Sequence, residues 1–119
     1  MGQRRIGLDQ LDETVTNAID AGGGGTPAIT STASATLTLD DTHDTVVGTL
    51  SGTQTFTLPT ASGIAGKIYI IKNTSASGTL TVQGTGSPIE TIDGASSFLL
   101  TVQYQSVTVQ SDGTNWIVI

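Results

Sequence analysis

The one histidine of this chain, His43, sits in the stretch LDDTHDTVV, with Asp40, Asp41 and Asp44 around it. An imidazole and carboxylates this close together could ligate a divalent cation. The order lacks the D-x-[DN]-x-[DN]-G run of a calcium loop and its distal glutamate, so the stretch reads as an acidic turn between strands. A nucleophilic serine would need a base and an elbow to present it. Serines are plentiful, but no G-x-S-x-G occurs. Glu90 and Asp93 are the nearest pair of carboxylates for glycoside cleavage, and Asp93 is better used in a turn with Gly94. The four glycines at 22–25 run into Thr26-Pro27 rather than Lys and Ser/Thr, which rules out a phosphate loop. These residues imply no catalytic group, no metal and no cofactor.

Rings that could stack on a sugar are few. Tyr69, Tyr104 and Trp116 are the only large polar-edged aromatics. Trp116 belongs to a core by its phase. Tyr69 is out of phase with Ile68 and Ile70 and is expected to face outward, and Tyr104 stands close to a strand end. Tyr69 and Tyr104 are therefore the candidate glycan contacts.

The elements that must position these residues fall into three zones. Residues 1–21 read as a short helix, with Leu8, Leu11, Val15 and Ala18 at heptad spacing and Asp9, Asp12 and Glu13 in or near the first turn, where the helix dipole favours negative charge. A helix of about 12–14 residues is marginal alone, so it is expected to lean on a partner surface, on its own copies or on its own β domain. Residues 22–34 are Gly/Thr/Ser-rich and read as a linker. Residues 35–119 alternate apolar and polar positions in ATLTLD, TQTFTLP, KIYIIKN, TLTVQ, FLLTVQY, SVTVQ and NWIVI, with turn residues between them. The expected fold is all-β: a small antiparallel sandwich or jelly-roll-like domain behind a short N-terminal helix and a Gly-rich linker. No repeat of constant length is visible, which speaks against a solenoid or propeller.

Asp112-Gly113 between two alternating runs predicts a two-residue type I′ hairpin. That turn would set Val109 opposite Trp116 and Val107 opposite Val118, gathering these four on a core face. The other face would then hold Ile117 and Ile119 where a wet surface would carry polar residues. These two are expected to pack between copies of the chain, and an ending on so apolar a run fits a strand pinned inside an assembly.

Composition narrows the function classes. Only 12% of the 119 residues are charged, 4% are aromatic, and the net charge is −6. An acidic chain without a basic stripe is a poor partner for nucleic acid or an anionic membrane. There is no cysteine, so no disulfide framework or thiolate site. No stretch approaches a membrane span, and no apolar run of signal-peptide length follows Arg4 and Arg5.

The succession TFTLPTASGIAGKIYIIKNTSASGTLTVQG, followed by IETIDG and LTVQYQSVTVQSDGTNWIVI, resembles small β modules of tailed-bacteriophage virion proteins, found in tail fibres, head fibres and capsid decoration proteins. The resemblance spans roughly residues 53–119. It implies a homotrimer without enzymatic activity, on the virion surface and assembled in the host cytoplasm. The compact body suits a capsid decoration or cement protein, with a short head or tail fibre, or a carbohydrate-binding adsorption module, as alternatives. The expected partners are the chain itself and the major capsid protein or another virion protein. Arg4, Arg5, Leu8, Leu11 and Val15 are the expected docking residues.

Overall fold

The computed structural model describes residues 26–119, and all regular structure among them is strand. The nine strands are β1 (Ile29–Thr32), β2 (Thr36–Thr38), β3 (Thr45–Gly48), β4 (Thr53–Thr57), β5 (Ile68–Asn73), β6 (Thr79–Gln83), β7 (Ser97–Leu100), β8 (Ser106–Ser111) and β9 (Trp116–Val118). The expected helix and the docking residues Arg4, Arg5, Leu8, Leu11 and Val15 lie outside the described residues.

Two sheets form. One has five strands in the order β9-β8-β5-β3-β1, the other four in the order β2-β4-β6-β7. The first six strands alternate between the sheets, and within each sheet successive ones pair in parallel: β1 with β3, β3 with β5, β2 with β4, β4 with β6. The chain therefore winds through three coils, each giving one strand to each sheet. The antiparallel additions come last, β7 on β6, β8 on β5 and β9 on β8.

The sheets are thus mixed, where an antiparallel domain was expected. The winding is solenoid-like for three coils even though no repeat shows in the sequence. The reason is coil length: β1, β3 and β5 start at residues 29, 45 and 68, so the loops that close the coils differ in size. The expected linker also contains a strand. Ile29–Thr32 is β-branched or hydroxylated throughout, and Ala28 and Thr32 carbonyls accept from Thr45 N–H and Thr49 N–H, both at 2.9 Å.

Alternation within each strand fills the space between the sheets. Tyr69, Ile71, Val107, Val109, Trp116 and Val46 face inward from the five-stranded sheet, meeting Leu39, Phe56, Leu58, Leu80, Val82 and Leu100. The register stacks like on like: Leu37, Phe56, Val82 and Phe98 lie across the four-stranded sheet in one row. Two buried amides close corners of the winding. Gln54 Nε2 donates to the carbonyls of Thr32 and Ser34, at 3.0 and 2.7 Å. Its side chain crosses so close to Gly48 that a Cβ there would collide with Gln54 Oε1. Asn73 Nδ2 donates to Gly78 O and Leu100 O at 3.0 and 3.1 Å, while Asn73 Oδ1 accepts from Ser75 N–H at 3.0 Å. Because burial without partners would strand these amides, each satisfied corner also fixes the path of the backbone.

The hairpin near the C-terminus differs in register from expectation. Ser111 lies opposite Trp116, Gln110 opposite Ile117 and Val109 opposite Val118. The loop has four residues because the Asp112 carboxylate accepts from both Thr114 N–H and Asn115 N–H at 2.8 Å, and Asp112 N–H donates to Asn115 O. Asn115 Oδ1 and Trp116 N–H also bond Thr91, drawing the strand toward residues 91–93. The shift is two residues, so the inward and outward sets keep their sides. The type I′ geometry occurs at the other Asp-Gly pair: Asp93 and Gly94 have φ of 49° and 86°, between bridged Ile92 and Ala95.

Candidate functional site

The acidic stretch around His43 is held by its own backbone. Asp40 carboxylate accepts from Thr42, whose hydrogen bonds, more than the neighbouring His43, hold its pKa below the usual carboxylate range. His43 Nδ1 accepts from Asp40 N–H at 3.0 Å and lies 3.1 Å from the Asp40 carboxylate. Asp44 pairs with Lys67 at 2.9 Å and accepts from Ala28 N–H, and these two partners, in that order, push its pKa down. Among the described residues no three His, Cys, Asp or Glu side chains converge as a metal site. Glu90, the other candidate acid, is engaged by Thr60 Oγ1 and Ala61 N–H at 2.7 and 2.9 Å. These carboxylates hold loops in place.

Tyr69 is turned the opposite way from expectation. It is fully buried, donates its hydroxyl to Asp40 O at 2.8 Å, and packs against Trp116 with ring centroids 5.5 Å apart. Burial first, then the charges of Asp40, Asp41 and Asp44, push its pKa up to about 12. The ring therefore offers no surface to a glycan. Ile68 and Ile70 take the outward places that the phase reading gave to it.

That reversal exposes the feature that stands out on this molecule. Across the outer face of the five-stranded sheet, the register aligns Ile29, Thr45, Ile70 and Thr108. Ile119 completes the row, its N–H donating to Thr108 O at 2.9 Å. A second row holds Ile68, Gln110 and Ile117. A third holds Ser31, Val47, Lys72 and Ser106. All five isoleucines are exposed. Gln110, set among them, already donates one of its two amide N–H bonds to Gly66 O at 3.0 Å. Lys72 is the single charged side chain in these rows.

At one margin of the face the chain turns through residues 101–105. Tyr104 there is 61% exposed and has φ of 68°, a left-handed backbone that bulky side chains seldom adopt. The turn is held by Tyr104 N–H to Asn73 O at 2.6 Å, by Lys72 Nζ to Tyr104 O at 3.0 Å, and by Gln105 Oε1 accepting from Thr101 and Val102 N–H. The Lys72 ammonium lies 5.8 Å from the ring centre.

The outer face of the other sheet is different in kind. Thr36, Thr55, Thr81 and Leu99 form one row across it, Thr38, Thr57, Gln83 and Ser97 another, and Thr53 pairs with Thr79. A threonine-covered sheet face is suited to water; an isoleucine-covered one is suited to a partner.

The structure thus brings Ile117, Ile119 and Tyr104 to one side of the molecule and sends Tyr69 to the core. Sequence reasoning missed Ile29, Ile68 and Ile70. The signal for the latter two was the unbroken apolar run Ile68-Tyr69-Ile70-Ile71, because a strand apolar on both sides is covered on both sides. No protein-family model matches the chain, and no curated protein matches it.

Proposed function

We propose that this chain is a non-enzymatic structural protein of a tailed-bacteriophage virion, a homotrimeric decoration or cement protein carried on the head. The observation that carries this reading is the isoleucine face, with Lys72 its one charged side chain, laid on a two-sheet body whose described acidic groups lie on loops. Such a body does mechanical work: it ties neighbouring subunits together by burying apolar area, in proportion to the area covered. The resemblance of residues 53–119 to virion β modules supports the setting. On this reading Arg4, Arg5, Leu8, Leu11 and Val15 attach the protein to the major capsid protein or another virion protein, and the β body stands on the particle surface.

Electron cryomicroscopy of particles assembled with and without this chain tests the proposal. Density that decorates the head, appears in threes and vanishes without the chain is the expected result. Density at the tail instead would favour a short fibre. Particles indistinguishable in the two preparations would sink the virion reading altogether.

A further inference from the structure

We infer that the outer face of the five-stranded sheet is where copies of this chain meet, with Ile70 at the centre of the contact and Ile29, Ile68, Ile117 and Ile119 around it. The inference rests on the multi-copy reading above and names the surface that it requires.

Charge decides the occupant. The chain carries −6 overall, and its described acids, Asp40, Asp41, Asp44, Glu90, Asp93 and Asp112, are distributed over the loops. Copies of an acidic protein repel each other wherever such groups face across a gap. The isoleucine rows contain no acidic side chain and one lysine, so they are a surface on which the side chains of identical chains can touch with little of that penalty. A basic partner would find no side-chain carboxylate in these rows to pair with, and an acidic one would find only Lys72.

Shape points the same way. The central row reads Ile29, Thr45, Ile70, Thr108, Ile119 across five strands, large and small residues in alternation. Strands in a sheet are spaced by about 4.8 Å, so each isoleucine stands about 10 Å from the next with a threonine notch between. The β9 half of one row, Ile119 and Thr108, can interlock with the β1 half of another, Ile29 and Thr45, as inner faces of packed sheets do. In a ring of three the contact joins different parts of the face, the β9 end of one copy to the β1 end of the next, and closes on itself. Ile117 and Ile119 of one copy then approach Ile29 of its neighbour.

Two aspartate substitutions in the full-length chain, compared by sedimentation velocity at equal concentration, test this. Ile70→Asp puts a charge in the centre of the proposed contact; Leu99→Asp puts the same charge on an exposed position of the threonine face. The expected result is a trimer for the unaltered chain and for Leu99→Asp, and a folded monomer for Ile70→Asp, with far-ultraviolet circular dichroism unchanged in all three. Because the chain has no cysteine, a variant carrying both Ile29→Cys and Ile117→Cys gives a second readout, in which oxidation is expected to link copies into covalent trimers. A trimer that survives Ile70→Asp overturns this assignment while leaving the multi-copy reading intact. A trimer lost in Leu99→Asp alone also overturns it, by moving the contact to the other sheet. A monomeric unaltered chain overturns both the assignment and the reading it rests on.

Discussion

Truncating Ile70 to alanine should weaken association without weakening the fold, and the size of the effect follows from how much of the residue is still wet. Ile29, Ile68, Ile70, Ile117 and Ile119 are 71, 39, 40, 37 and 58% exposed in the single chain. Together they amount to about two and a half fully exposed isoleucines, which at ~1.5–3 kcal/mol for each buried side chain makes about 4–7 kcal/mol per copy available to an interface. Ile70 supplies about 0.6–1.2 kcal/mol of that, and alanine keeps only its first carbon. The loss is then about 0.5–1 kcal/mol per copy, or roughly 1.5–3 kcal/mol per trimer.

A monomer–trimer equilibrium depends on the cube of the monomer concentration, so the midpoint of dissociation moves with the square root of the constant. Since ~1.4 kcal/mol is a factor of ten, Ile70→Ala should raise that midpoint by about fourfold to tenfold. The fold of the isolated chain should change by no more than about 0.5 kcal/mol, as for other surface positions. Sedimentation equilibrium over a dilution series measures the first quantity, and urea unfolding below the midpoint measures the second. An unmoved midpoint alongside unchanged unfolding would refute the placement of Ile70 inside the contact. Unfolding weakened as much as association would mean that Ile70 acts through the sheet and not through a partner.

Three further outcomes follow from the interior and its margins. Asn73→Ala leaves Gly78 O, Leu100 O and Ser75 N–H without their buried partners; it should cost about 3 kcal/mol and lower the melting temperature by roughly 12–24 °C, read by calorimetry. Tyr69 is neutral in the folded state up to about pH 12 but titrates near 10.0 when unfolded. The stability this provides is complete below pH 10 and is lost as pH rises toward 12, so Tyr69→Phe should flatten the alkaline limb of a stability–pH profile. Asp44 is shifted the other way, below 3.8, chiefly by Lys67. Its contribution is present above the unfolded value and fades as pH falls below about 4, small because the pair is partly in water. Asp44→Asn should therefore shrink the acid-induced loss measured by urea midpoints between pH 5 and pH 2.

Much of the β body is legible from alternation. In TLT, TQTFT and TLTVQ the threonines fall on one side and the apolar residues, with Gln54, on the other, so both the strands and the wet face can be read directly. The inward set Val107, Val109, Trp116 and Val118 is legible too, and it survives the changed hairpin because a two-residue shift preserves which side each residue takes. Which strands are neighbours is not legible. Alternation records that a strand has a core side, but it carries no mark of direction, and the unequal coils leave no period from which parallel winding could be inferred. Strand β1 is hidden for another reason: ITST follows glycines and a proline, in a composition that also describes an unstructured linker. In Ile68-Tyr69-Ile70-Ile71 both phases are apolar, so pattern alone cannot choose the inner one. What decides it is a long-range fit, the Tyr69 ring against Trp116 and its hydroxyl on Asp40 O.

The contrast between the two outer faces links these local choices to the proposed role. The parallel strands of both sheets come from the same three coils, so the difference between Ile29 and Ile70 on one and the threonines on the other is a difference of side chains. Threonine on one sheet is enough to keep strands β-branched, extended and wet. Isoleucine at the equivalent places on the other adds no backbone advantage over threonine and, in a lone chain, leaves apolar area in water. The fold does not require that substitution, because the four-stranded sheet stands without it. A covering partner does require it. The interruption of the central isoleucines by Thr45 and Thr108 fits the same account, since notches set register and limit how the face can slide. An interface that reaches Ile29 would also lie along β1, the uncharged edge strand of that sheet, and shield it from unwanted strand pairing.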